Sequence, residues 1–243
     1  MRPPTPRRRS LLFAGSLLLA LAAVVGVLVV LVPEGATDGL DLFWNDLMGN
    51  VRQDWMLSAA YLLNWIGGGW VAILLVPLLV VLLLVLLRRW RAAVFAAAAF
   101  AISAGLTQLL KEVFARARPD DMLVSSDFGS FPSGHTANAA TIAVVLWLVF
   151  PRVWVAIVGA LWVVAMALSR TILAAHWITD TVGGALVGAS AALLVAAVLQ
   201  YWATIGWMAP SAPAVEASPG AHSPPAPSPS ASRRRRAADP PVS

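Results

Sequence analysis

The chain has 243 residues, of which 59% are hydrophobic and only 12% charged, whereas a soluble domain carries about 25% charged residues. With a mean hydropathy of +0.78, this composition excludes an ordinary soluble domain, and the lack of cysteine excludes disulfides and thiolate metal sites. The net charge of +5 does not argue for a nucleic-acid partner, because the arginines stand in short clusters beside apolar runs, where they act as topology signals.

Arg7, Arg8 and Arg9 precede an apolar run from Leu11 to Val32. A cleavable signal has an apolar region of about 7–15 residues followed by a small-residue cleavage site. This run is longer and ends Val-Pro-Glu, so it reads as a retained spanning helix, about 33 Å long at ~1.5 Å per residue. Leu40–Trp55 mixes Leu, Phe and Trp with Asp and Asn, the pattern of a helix lying in the outer membrane interface. It reads either as a simple anchor or as one wall of a lipid entrance. Further apolar segments follow at Trp65–Leu87, Ala92–Leu110, His135–Phe150, Val153–Leu168 and Thr181–Trp202, and Pro77 should kink the first of these. From Ala209 onward the chain is dense in Pro, Ser and Ala and cannot form a packed core. Arg233–Arg236 in that tail either touch anionic headgroups or stay solvated.

No repeat and no strand pattern is evident. The expectation is therefore an all-α polytopic membrane protein with six transmembrane helices and an outer interfacial helix. Residues 1–10 form a basic cytoplasmic N-terminus, residues 11–208 the six-helix domain, and residues 209–243 a disordered cytoplasmic tail. Orientation follows from Lys and Arg, which cytoplasmic loops retain. With the N-terminus inside, twelve of the 17 basic residues are inner: Arg2, Arg7, Arg8, Arg9, Arg88, Arg89, Arg91, Arg152 and Arg233 to Arg236. Only Arg52, Lys111, Arg116, Arg118 and Arg170 remain outside. Both termini are expected in the cytoplasm of a cell whose plasma membrane holds the protein.

Those outer basic residues are not scattered. Lys111, the sole lysine, precedes Arg118-Pro119 by seven positions, about two helical turns, which would turn both cations the same way. Two snorkelling cations at a membrane edge would look similar. Phe131-Pro132-Ser133-Gly134-His135 opens the fourth span; Pro and Ser suit a helix start, and its first turn offers backbone N–H groups to an anion. An ordinary helix start reads the same. Ser169-Arg170, His176 and Asp180 come next. If that segment is helical, His176 and Asp180 share a face at i and i+4, where a carboxylate fixes an imidazole tautomer. Ionisable groups at membrane depth cost about 2.5–3.5 kcal/mol, which weighs against a merely structural pair. All three groups arrive at the outer boundary, and Lys111, Arg118 and Arg170 would repel one another without an anion between them. Phosphate fits two guanidinium forks and one ammonium.

The ordered pattern Lys111-x6-Arg118-Pro119, Pro132-Ser133-Gly134-His135 and Ser169-Arg170-x5-His176-x3-Asp180 resembles the three-motif signature of the type 2 phosphatidic acid phosphatase superfamily. The resemblance covers roughly Leu11 to Trp202 and shows no departure from the signature. It implies that His176 attacks phosphorus and becomes phosphohistidine, with Asp180 holding its ring. It further implies that His135 protonates the leaving oxygen and later activates water. Lys111, Arg118 and Arg170 would hold the phosphoryl oxygens, helped by Ser133 and Gly134. No cofactor or metal is implied, and Arg116, outside the signature, is assigned no catalytic part.

The implied activity is hydrolysis of a lipid phosphate or diphosphate at the extracytoplasmic face. Undecaprenyl diphosphate is the leading substrate, with phosphatidic acid or phosphatidylglycerol phosphate behind it. Three other readings stay open. A lipid phosphotransferase would use the same residues, a lipid-binding protein would keep the motif without catalysis, and two histidines with one carboxylate could form a metal triad. Neighbouring cations oppose that triad, and activity insensitive to chelator would remove it.

Overall fold

A computed structural model describes residues 8–31, 38–68, 71–126 and 128–202. The Pro-rich segment 209–243 with its arginine cluster lies outside the described residues. Among those described, all regular structure is helical: α1 (Arg8–Leu31), α2 (Asp38–Val51), α3 (Asp54–Gly67), a π-helical turn Val71–Leu75 running into α4 (Val76–Leu86), α5 (Trp90–Phe114), α6 (Gly134–Val149), α7 (Val153–Ile172) and α8 (Ile178–Trp202). Four of them, α1, α5, α7 and α8, are long and apolar enough to cross a membrane, while α4 and α6 are shorter apolar helices.

The segment before α4 differs from the expectation. The expected interfacial helix Leu40–Trp55 is two helices, α2 and α3, parted at Arg52–Gln53. Trp55 and Trp65 both belong to α3, so the second apolar segment does not begin as a span at Trp65. Gly67, Gly68 and Gly69 follow one another, each about 1 kcal/mol worse than Ala in a helix, and Gly68 turns extended at φ −123°, ψ 167°. Pro77 sits in the first turn of α4, just after the π-helical turn. It lacks the N–H that would bond back into that turn, which accounts for the change of helical register there.

Packing is by small residues, as helices surrounded by lipid require for close approach. A Cβ on Gly184 or Gly188 of α8 would run into the backbone of Ser133 and Ala137 on α6. The hydroxyl of Thr141 (α6) donates to Ser103 (α5) at 2.8 Å. Arg8 at the start of α1 donates to the carbonyl of Ala197 near the end of α8, so these two helices run antiparallel. Phe95, Leu84, Val145, Leu148 and Ala196 fill one core among α4, α5, α6 and α8. A second, smaller core of Met48, Ala60, Ile172, Leu173 and Ala175 seats α2 and α3 against the end of α7. The helices thereby bring the end of α5, the start of α6, the end of α7 and the start of α8 to one end of the bundle.

Candidate active site

Lys111 lies in the last turn of α5, buried to 3% exposure. The helix stops at Phe114, where Ala115 takes a left-handed φ of 45° and its N–H returns to the Lys111 carbonyl at 2.9 Å. Arg118 is consequently in a loop rather than two turns further along the same helical face. The two cations still converge, because both donate to the carbonyl of Gly129: Lys111 Nζ at 2.9 Å and Arg118 Nη2 at 2.8 Å. Gly129 has φ +72°, and a Cβ there would come within 3.0 Å of the Lys111 carbonyl oxygen, so glycine is required for the loop to pass this close.

His176 and Asp180 also meet by a route other than a shared helical face. Ala174 is left-handed at φ 49°, His176 lies in the connecting turn, and α8 starts only at Ile178. Asp180, in the first turn of α8, reaches back to accept the N–H of Trp177 on Oδ2 at 2.9 Å. That is one half of a capping box, placed where the helix dipole favours a carboxylate. The same Oδ2 stands 3.5 Å from His176 Nδ1, a separation longer than a hydrogen bond. On the other side of the ring, Arg118 Nη1 is 3.1 Å from Nε2 while also donating to the Ala175 carbonyl at 2.6 Å. A guanidinium donates only, so Nε2 is the acceptor and Nδ1 carries the hydrogen toward Asp180. Burial, then the positive charges of Arg118, Arg170 and Lys111, hold the His176 pKa well below its ordinary value. The ring is therefore neutral at pH 7, with its lone pair on the nitrogen that faces Arg118.

Arg170 ends α7, is 1% exposed, and donates through Nη1 to Asn64 Oδ1 on α3 at 2.6 Å. His135, in the first turn of α6, has Nε2 3.4 Å from the backbone carbonyl of the same Asn64. Its ring lies where a Cβ on Gly67 or Gly68 would strike it. Ser133 caps α6 and is fully buried; its N–H donates to the Asp180 carbonyl at 2.9 Å, tying the start of α6, where Gly134 follows, to the start of α8. Lys111, Arg118, Ser133, Gly134, His135, Arg170, His176 and Asp180 thus share one end of the bundle. The arrangement sets a neutral imidazole beside a carboxylate, with Arg118 at its Nε2 and Lys111 next to Arg118 on the Gly129 carbonyl. Among the described residues, no three His, Asp or Glu side chains converge in a metal-ligand cluster.

Three residues that sequence reasoning did not select complete the site. Arg116 donates to Asp180 Oδ1 at 2.6 Å, to Thr179 Oγ1 at 2.8 Å and to Asp41 Oδ2 at 2.7 Å. Asp41 comes from α2 and Asn64 from α3. The only signal for them was a polar residue amid Leu and Trp, as in Leu40-Asp41-Leu42 and Leu63-Asn64-Trp65.

Residues 92–204 match the model of the PAP2 superfamily. A lipid A 1-phosphatase from Rhizobium johnstonii is 33% identical over 117 residues, 43% of this chain and 47% of that protein. Phosphatidylglycerophosphatase B of Bacillus subtilis is 29% identical over 144 residues, 55% of this chain and 70% of that protein. The chain thus spans about half the length of the Rhizobium relative. In fold, it is similar to the crystal structure of a transmembrane PAP2-type phosphatidylglycerolphosphate phosphatase from Bacillus subtilis, with a TM-score of 0.68 at 23% identity, covering 79% of this chain and 99% of that one. LpxE of Aquifex aeolicus gives a TM-score of 0.55 at 26% identity, covering 65% and 94%. The three motifs gather at one end of a helical bundle, and the region similar to the PAP2 superfamily model carries all of them.

Proposed function

We propose that this multi-pass membrane protein removes the terminal phosphate from a lipid by way of a phosphohistidine on His176. The observation that carries this reading is the His176 ring: buried and neutral, with Nδ1 toward Asp180 at 3.5 Å and Nε2 beside Arg118 at 3.1 Å. In the first step Nε2 attacks phosphorus, the P–O bond to the lipid breaks, and the electron pair leaves on the lipid oxygen, which His135 protonates. Asp180 stabilises the positive ring that results. In the second step His135 takes a proton from water, the hydroxide attacks phosphorus, and the P–N bond breaks to release inorganic phosphate and restore His176. Lys111, Arg118 and Arg170, together with Ser133 and Gly134 at the start of α6, bind the phosphoryl oxygens as charge builds on them.

The six apolar segments are read as six spans, with α4 and its preceding π-helical turn making the second and α6 the fourth. Arg8, Arg9, Arg88, Arg89, Arg91 and Arg152 flank the helix ends away from the site, which supports a cytoplasmic position for that end and an extracytoplasmic position for the site. Both termini then face the cytoplasm. One cluster of three cations takes one terminal phosphoryl group. Undecaprenyl diphosphate and phosphatidylglycerol phosphate are accordingly the first two lipids to compare, the second supported by the name of the Bacillus relative.

The test is phosphate release by the detergent-purified full chain, with chelator present, from those two lipids, phosphatidic acid and a soluble aryl phosphate. Release from at least one lipid, absent in His176→Ala, is expected, together with acid-labile phosphoprotein in the parent alone. Substantial turnover by His176→Ala would falsify the nucleophile assignment.

A further inference from the structure

Arg116 and Arg118 leave the same loop two residues apart, yet they meet different partners. Arg118 donates to the carbonyls of Ala175 and Gly129 and faces His176 Nε2. Arg116 is bound on both arms to carboxylates, Asp180 through Nη1 and Asp41 through Nη2. A guanidinium already shared between two carboxylates has no attraction left for a phosphate. Its place is behind the nucleophile, on the oxygen of Asp180 that His176 does not face.

We propose that Arg116 and Asp41 are positioning residues for the His176–Asp180 pair, so that helix α2, outside the three motifs, sets the aim of the nucleophile. This rests on the assignment of His176 as nucleophile. Asp180 has two oxygens with separate duties: Oδ1 is taken by Arg116 at 2.6 Å, while Oδ2 accepts Trp177 N–H at 2.9 Å and faces His176 Nδ1. With both oxygens anchored the carboxylate cannot rotate, and the imidazole it faces keeps its tautomer. Asp41 fixes the guanidinium in turn. It is 2% exposed, and its other contacts reach the first turn of α8: Oδ1 accepts Thr179 N–H at 3.1 Å and Oδ2 accepts the Thr179 hydroxyl at 2.7 Å. The Thr179 hydroxyl also accepts from Arg116 at 2.8 Å. Asp41, Arg116, Thr179 and Asp180 thus form one closed, buried network joining α2, the loop and α8. A cavity of about 210 Å³ lined by Asp41, Leu42, Arg116 and Trp177 opens beside it, giving small solutes a path to the guanidinium.

The experiment compares Arg116→Ala, Arg116→Lys, Asp41→Asn and His176→Ala in the full chain, reading kcat and KM separately and the single-turnover rate of phosphoenzyme formation. Misaiming the nucleophile should lower kcat and the phosphorylation rate of Arg116→Ala by about a hundredfold, with KM changed by no more than roughly threefold, since phosphate binding is left to other cations. Arg116→Lys should recover part of that loss, and millimolar methylguanidine should partly restore Arg116→Ala through the adjoining cavity. Asp41→Asn, nearly isosteric, should show the same kcat-only loss at smaller size, and it carries the test if Arg116→Ala does not fold. A rise in KM at unchanged kcat would overturn the proposal by making Arg116 a substrate ligand. Unchanged kcat in folded Arg116→Ala or Asp41→Asn, beside an inactive His176→Ala, would overturn the positioning role alone. Turnover by His176→Ala would overturn the nucleophile assignment on which that role depends.

Discussion

The helices α5 to α8 and the pair α2–α3 contribute to the same site in unlike ways. The first group supplies every group proposed to touch phosphate, and supplies it from close-packed ground: Gly184 and Gly188 leave no space between α8 and α6, while Lys111, Arg170, His176 and Asp180 are almost wholly buried. The pair α2–α3 supplies two hydrogen-bond acceptors, Asp41 and Asn64, each behind an arginine. Its helices otherwise present much exposed apolar surface, with Phe43, Trp55, Leu62 and Trp65 all more than half exposed. The groups proposed to react therefore stand on a close-packed wall, and on our proposal a lighter cover aims them. Damage to the wall should abolish the site, whereas damage to the cover should detune it.

The largest effect should come from the wall. In Gly188→Val the new Cβ lands on the carbonyl of Ala137, and backbone cannot step aside as a flexible side chain would. The helices must part, which costs about 1–3 kcal/mol or more and displaces Ser133 and His135 at the start of α6. Thermal unfolding in detergent should shift down and phosphate release should be lost. A stable, active Gly188→Val protein would show that the wall is softer than its packing implies.

On the cover, Asn64→Ala removes the acceptor that Arg170 Nη1 holds at 2.6 Å. A hydrogen bond to a charged group is worth about 1.5–3 kcal/mol, or roughly 10- to 150-fold, and the loss should fall on kcat/KM with folding preserved. Asn64→Asp keeps an acceptor but lends Arg170 a counter-charge. It should raise KM for a phosphorylated lipid, and an unchanged KM would argue that Arg170 does not bind the phosphoryl group.

The contrast between wall and cover also explains what could be read from the chain. The residues proposed to react are legible as a group because titratable side chains in an apolar sequence are costly and stand at fixed spacings. Asp41 and Asn64 were not, since a lone polar residue within Leu40-Asp41-Leu42 fits an interfacial helix equally well. Arg116 was set aside because it lay outside the motif, although it sits only two residues before Arg118. The helix stops before Arg118 and before His176 share one physical reason for going unseen: Ala115 and Ala174 take positive φ without being glycine, so no residue type announces the turn. The fold class and the convergence of the three motifs survived those errors because each stop left the polar residues at the same end of the bundle.

A pH profile probes the centre of the wall. The His176 pKa is held below its ordinary 6.5 by burial, then by Arg118, Arg170 and Lys111. Because the folded value lies below the unfolded one, the neutral ring's contribution to stability is present above about pH 6.5 and is lost as pH falls toward the folded pKa. For the proposed catalysis, His176 should stay unprotonated to below that pH in the free enzyme. Arg118→Gln removes the nearest cation from Nε2, so the acid limb of kcat/KM that belongs to His176 should move to higher pH. No movement, or movement to lower pH, would show that Arg118 does not govern the ring's charge.

The smallest effect should come from the rim of the cover. Among the described residues, α2 and the residue that follows it meet the loop after α5 inside through Asp41–Arg116, and outside through Arg52 Nη2 to Asp121 Oδ2 at 3.3 Å, with Asn45 adding a hydrogen bond to the same carboxylate at 3.0 Å. Asp121 is 49% exposed, and such solvated pairs contribute below about 1 kcal/mol. Arg52→Ala should therefore leave kcat, KM and the melting temperature nearly unchanged. The two bridges span the same elements, so this variant separates holding α2 in place from aiming Asp180. If Arg52→Ala lowered kcat as far as Arg116→Ala, docking of α2 alone would account for both. If only the inner bridge matters to kcat, the contact that counts is the one ending on the carboxylate beside His176.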